Sequence, residues 1–170
     1  MENTTSPNWY AIYVKSKHEG IAYGELQKKG VESYLPLVKK TRQWKDRRKL
    51  VEFPLFPGYL FAKVNPTPSG FVRVLRARGV VSLVSGELGV PLAVPDCEMD
   101  SLRIMMENGN DIDIYPGIKE GTRVSVRRGP LKGATGAVVS KDGGYMLIVN
   151  IDILGRSIGV KVYADDLESA

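Results

Sequence analysis

Gly121-Thr122-Arg123-Val124-Ser125-Val126-Arg127-Arg128-Gly129-Pro130-Leu131-Lys132-Gly133-Ala134-Thr135-Gly136-Ala137-Val138-Val139 sets apolar strand positions between glycine-marked turns. Side chains on a strand repeat every two residues, so Val124 and Val126 share one face. Gly129, Gly133 and Gly136 permit the turns and the close backbone approach that the corner of a small barrel needs. Further on, Asp142-Gly143-Gly144 reads as a hairpin turn, Tyr145 to Ile151 as a long strand and Ser157 to Val162 as its partner. Residues 121–170 are therefore expected to form a small β-barrel.

Upstream the pattern changes to mixed helix and strand. Trp9-Tyr10-Ala11-Ile12-Tyr13-Val14 is aromatic and β-branched, mostly apolar on both faces, and suits a central strand. A helix is expected from about Glu19 to Lys29, with Ala22 and Leu26 four apart on one face and Gly30 as terminator. Tyr34 to Val38 and Lys49 to Phe53 read as two strands, which makes the basic run between them the tip of a long hairpin. Pro54 to Val64 supplies a bend and then a strand with Tyr59 and Phe61 on one face and Leu60, Ala62 and Val64 on the other. Phe71 to Leu75 suggests a short helix and Val80 to Val84 a strand. A last helix carries Met99, Leu102, Met105 and Met106, with Asp96 as N-cap and Gly109 as its end. The turn-rich stretch that follows fits a linker. The expected organisation is an α+β domain over residues 1–109, a linker over 110–120 and the barrel over 121–170.

Charge is unevenly placed. The chain of 170 residues has a formal net charge of +5, and residues 111–170 are neutral, so all the excess base lies upstream. Lys39, Lys40, Arg42, Lys45, Arg47, Arg48 and Lys49 form a run interrupted by only one acid, Asp46. Such a run is either a solvated loop or a footprint for a polyanion. Trp44 sits among these cations, where it either packs back on its hairpin or stacks on an unpaired base.

A strand opening with Trp9-Tyr10, a basic hairpin, the Phe56-Pro57-Gly58-Tyr59 turn and a C-terminal KOW-like barrel, in that order, resemble the NusG family of transcription elongation and antitermination factors. Within that family, Pro54 to Phe61 and Tyr34 to Leu37 look more like the specialised RfaH and UpxY-type antiterminators than the housekeeping factor. The resemblance implies an N-terminal NGN domain, an antiparallel sheet flanked by helices, which grips the clamp helices of RNA polymerase and raises processivity. On this chain, the residues implied for that grip are Trp9, Tyr10, Phe56, Tyr59 and Phe61. The basic run with Trp44 is the implied contact to nucleic acid, the non-template DNA strand. The C-terminal SH3-like KOW barrel is implied to recruit a ribosomal protein or a termination factor through Leu131, Lys132, Leu154 and Arg156. The barrel carries Leu131, Ala134 and Leu154 where the housekeeping pattern has aromatics.

Other classes find less support. There is no Walker loop, dinucleotide fingerprint or metal-ligand cluster, so no enzyme, cofactor or metal is expected. His18 reads as a surface residue beside a helix start, and Cys97, the one cysteine, as a buried or semi-buried thiol. The polar, acid-bearing start at Met1-Glu2-Asn3 lacks the pattern of a secretory leader, and the apolar runs are too short to span a bilayer, so a cytoplasmic monomer is expected. The alternative reading is a ribosome-associated or RNA-binding KOW protein, which calls for a basic barrel; this one is neutral.

Overall fold

The computed structural model describes residues 5–109, 112–116 and 121–170. They divide into two compact units, the first ending at Ala93 and the second beginning at Val94. In chain order the first holds β1 (Asn8–Val14), α1 (Glu19–Lys28), β2 (Glu32–Tyr34), β3 (Leu37–Trp44), β4 (Arg47–Pro54), β5 (Tyr59–Val64), α2 (Pro68–Leu75) and β6 (Val80–Leu83). A two-residue strand, β7 (Ala93–Val94), lies at the boundary. The second unit holds α3 (Asp96–Asn108), β8 (Asp113–Pro116), β9 (Thr122–Val126), β10 (Thr135–Lys141), β11 (Gly144–Ile151), β12 (Arg156–Val162) and β13 (Leu167–Ser169).

The first unit is built on β1, which pairs antiparallel with β5 on one side and β6 on the other, while β2 borders β5. Alternation along the strands sends Tyr10, Ile12 and Val14 of β1 and Leu60, Ala62 and Val64 of β5 into one core. Ala22 and Leu26 of α1 and Val74 of α2 close that core, so both helices cover the same face of the sheet. Helix α1 ends in a Schellman motif, the Val31 amide donating to the Leu26 carbonyl and the Gly30 amide to that of Gln27, both at 3.0 Å. Helix α2 starts with Thr67 as N-cap, its hydroxyl accepting from the Gly70 amide at 3.2 Å, and Pro68 in the first helical position.

Two expectations for this unit need correction. Tyr34 to Val38 is not one strand: β2 stops at Tyr34, the chain turns through Leu35-Pro36, and β3 begins at Leu37. Proline lacks the amide that a continuing ladder needs, and its carbonyl instead accepts from the Leu55 amide at 2.8 Å. The basic run is also not a tip. All of its residues but Lys45 lie within β3 and β4, paired from Leu37↔Pro54 to Trp44↔Arg47, leaving only Lys45 and Asp46 as the turn.

The second unit is a six-stranded antiparallel sheet in the order β13-β9-β10-β11-β12-β8, with α3 packed on β10 and β11. Asp142 and Gly143 connect β10 to β11 with φ of +52° and +78°, the two positive values of a type I′ hairpin turn. Gly136 answers a different need. A Cβ there would collide with the Ile148 carbonyl of the neighbouring strand.

Here too the expected boundaries move. Asp113–Pro116, read as linker, is a strand paired to β12, with Tyr115 opposite Ser157; residues 110–111 and 117–120 lie outside the described residues. Helix α3 belongs by packing with the second unit, because the Ser101 hydroxyl, itself buried, accepts from the Thr135 amide at 3.0 Å. Asp96 is its first residue and not its cap. Pro95 holds the cap position in extended backbone, and Asp96 and Glu98 place acid in the first turn, where the helix dipole favours it. Cys97 is exposed, on the outward side of that turn, and not buried.

Candidate functional site

The Phe56-Pro57-Gly58-Tyr59 segment is a turn held from three directions. The Tyr59 amide donates to the Phe56 carbonyl at 3.0 Å, and Gly58 at φ +86° with Pro57 before it meets the demands of a type II turn. The Gly58 carbonyl accepts from the Val14 amide at 2.9 Å, and its amide donates to Glu19 Oε1 at 2.9 Å. That carboxylate is buried in the first turn of α1. The end of β1, the start of α1 and the start of β5 thus fix one turn between them.

Register then decides which aromatics share a face. Trp9 stands opposite Lys63, Ala11 opposite Phe61 and Tyr13 opposite Tyr59, all on the sheet face away from α1 and α2. The Lys63 ammonium is 5.9 Å from the centre of the Trp9 ring, Phe56 meets Phe61 edge-on at 6.3 Å, and Tyr13 and Tyr59 are 5.5 Å apart. Of the five aromatics expected at a polymerase grip, Trp9, Phe56, Tyr59 and Phe61 gather around this face or its turn. Tyr10 is carried to the opposite face by the two-residue repeat, where its ring meets Phe71 at 5.3 Å. Trp9, Tyr10, Phe56 and Phe61 are buried, and Tyr59 is half-buried. Tyr13, 44% exposed, is the residue that sequence reasoning missed; its place on the Trp9 face was readable from their even spacing.

The basic ribbon β3–β4 forms a sheet of its own. Most of its side chains are exposed, Trp44 at 67%. Trp44 is thus not packed back on the hairpin. The Arg42 guanidinium lies 5.9 Å from the centre of the Phe53 ring, and Lys39 stands opposite Glu52.

In the second unit, Leu131 is buried within its loop, which closes through the Gly133 amide to the Val126 carbonyl at 2.9 Å. Lys132 beside it is exposed. Leu154 ends a short 3-10 turn and is half-buried, while Arg156 is exposed at the start of β12. Of the four residues expected to receive a partner, Leu131 supports its loop and the other three reach the surface. Among the described residues no group of three or more His, Cys, Asp or Glu side chains is placed to hold a metal ion. No helix among them is long and apolar enough to cross a membrane.

A family model described as "Transcription termination factor nusG" matches residues 7–103, more than half of the chain. The chain belongs to the NusG family. The transcription termination/antitermination protein NusG of Chlamydia pneumoniae is 31% identical over 140 residues, covering 81% of this chain and 73% of the relative. The NusG of Bacillus subtilis strain 168 is 28% identical over 171 residues, covering 91% and 94%. A solved structure described as "Domain interaction in Thermotoga maritima NusG" shares the fold, with a TM-score of 0.54 at 23% identity, covering 96% of this chain and 97% of that one. The α+β first unit and the C-terminal sheet of a NusG protein are thus both present.

Proposed function

We propose that this chain is a transcription termination/antitermination factor that binds RNA polymerase through its first unit and recruits a further protein through its second. It works by binding, without chemistry of its own. The observation that carries the reading is the row Trp9/Lys63, Ala11/Phe61, Tyr13/Tyr59, ending at a turn locked by Glu19 and Val14. Aromatic anchors on a rigid support are what a docking face for a helix pair needs, since ordering them on binding costs little. The buried members of the row set its shape, and Tyr13 and Tyr59 at its open end supply contact. The relatives' names, which tie them to termination and antitermination, support the same reading.

In this reading the basic ribbon contacts nucleic acid at the transcription complex, and Lys132, Leu154 and Arg156 meet the second partner, a ribosomal protein or a termination factor. The test is reconstituted transcription over a template with an intrinsic terminator, paired with co-sedimentation of the chain with core polymerase. Altered read-through together with polymerase binding is expected. A chain that neither binds core polymerase nor changes read-through overturns the proposal.

A further inference from the structure

We propose that the second unit carries a docking groove for a proline-rich peptide of a partner protein, framed by Tyr145 and Tyr163 at the β10–β11 hairpin end of the sheet. The groove is separate from the polymerase docking proposed above. It also lies at the other end of the β11–β12 pair from Leu154 and Arg156. Six residue steps separate Tyr145↔Val162 from Ile151↔Arg156, roughly 20 Å at about 3.4 Å each.

A groove of about 700 Å³ opens between the hairpin residues 141–144 and the chain from Lys161 to Ala164. Tyr145 on its lining is 48% exposed and Tyr163 79%. Both rings stand on fixed backbone. Tyr145 is paired to Ser140 on one side and to Val162 on the other, and the Tyr163 carbonyl accepts from the Asp166 amide at 3.0 Å. Met146, buried, and Val162, half-buried, add apolar lining. A tyrosine held in this way offers a flat apolar face and a hydroxyl at small entropic cost.

Charge at the groove disfavours an ionic ligand. Lys141 and Lys161 are balanced by Asp113 and Asp142, all four on the lining. Lys141 is already engaged: its ammonium donates to the Tyr115 hydroxyl at 2.9 Å and lies 4.7 Å from the centre of that ring, and the hydroxyl donates to Asp113 Oδ2 at 3.3 Å. A polyanion therefore meets one unengaged cation and two carboxylates. By contrast, the side chains of Tyr145, Tyr163 and Lys161 have no hydrogen-bond or ion-pair partner among the described residues. The groove thus presents hydroxyl and ammonium donors to whatever enters it. Proline supplies the complement. It has no amide N–H of its own, its polyproline II carbonyls have no internal partners, and such segments dock in aromatic-lined grooves. Their conformation is formed in advance, so little is lost in ordering them on binding.

The experiment titrates the isotope-labelled full chain with a peptide of about ten prolines, roughly 30 Å long in polyproline II, and follows amide NMR shifts and the anisotropy of a dye on the peptide. Gly-Ser and polyglutamate peptides of equal length and a single-stranded oligonucleotide serve as comparisons. The proline peptide is expected to bind at least about tenfold more tightly than the flexible Gly-Ser peptide. Its shifts should centre on the amides of Tyr145, Val162 and Tyr163, and its affinity should not fall as salt is raised. Tyr145→Ala and Tyr163→Ala should each weaken it at least about fivefold, the loss expected of an anchor residue. Both side chains are exposed, and circular dichroism checks that each variant is folded; should Tyr145→Ala unfold, Tyr163→Ala decides. No shift up to about 1 mM peptide, or equal affinity for the proline and Gly-Ser peptides, overturns the proposal. Unchanged affinity in folded Tyr163→Ala overturns the site. Tighter binding of polyglutamate or of the oligonucleotide at the same amides overturns the ligand class.

Discussion

Glu98 sits in the first turn of α3, where the helix dipole ordinarily favours an ionised carboxylate, yet its pKa is raised from the usual carboxylate range to about 7. Burial is the main cause, followed by the negative charge of Asp152, and Glu98 Oε2 is buried without a hydrogen-bond partner. An acid whose pKa rises on folding holds an extra proton in the folded state between its unfolded value and about 7. Its contribution to stability is therefore full in acid and is lost as pH rises through that window. Thermal unfolding should show a lower midpoint at pH 8 than at pH 5.5 from this source, and Glu98→Gln should flatten that difference and raise the midpoint at pH 8. A steeper loss at high pH in the variant contradicts the assignment. The aromatic face divides by burial in the same way. Tyr10→Ala removes a ring from the core beneath α2 and should cost about 3 kcal/mol in denaturant unfolding. Tyr13→Ala, at an exposed position, should leave stability within about 1 kcal/mol while weakening polymerase binding by at least about 1 kcal/mol. Equal polymerase affinity of parent and Tyr13→Ala would remove that side chain from the interface.

The joint between α3 and β10 turns on one hydroxyl. Ser101 is buried and takes the Thr135 amide, and its Oγ also lies 3.4 Å from Thr135 Oγ1. Ser101→Ala leaves a backbone donor unsatisfied and should cost about 1–3 kcal/mol, with faster hydrogen exchange at the Thr135 amide as its local sign. Elements of this kind differ in how much the sequence discloses. Helix α1 was legible because Ala22, Leu26 and Gly30 state its face and its end locally, and the β10–β11 hairpin because Asp142-Gly143 admits few other turns. The ribbon was legible as a basic hairpin, but the extent of its pairing was not, since exposed strands lack the apolar alternation that marks a half-buried one. Strand β8 was illegible: Asp113 and Pro116 are turn formers by composition, and only pairing with β12 makes them a strand. At the candidate grip, residue types and the alternation of Trp9 and Tyr10 were readable, but which of the two faces lies under α1 and α2 was decided only by packing.

For the whole chain, the division at Ala93/Val94 means that a fragment cut at the linker expected from composition discards part of a packed unit. A fragment of residues 94–170 should keep the Thr135 amide protected from exchange, and one of residues 112–170 should lose that protection while retaining the sheet signature of β9 to β12 in circular dichroism. Equal protection in both fragments would show that α3 contributes nothing to the sheet it covers. Cys97 gives this seam a practical use. It is the one thiol in 170 residues, it is exposed, and it lies four residues before Ser101 on the helix that forms the seam. A maleimide dye therefore reacts at a single place without any engineered cysteine. The natural chain can then report by fluorescence anisotropy, in real time and beside polymerase, whether α3 stays seated during a round of transcription.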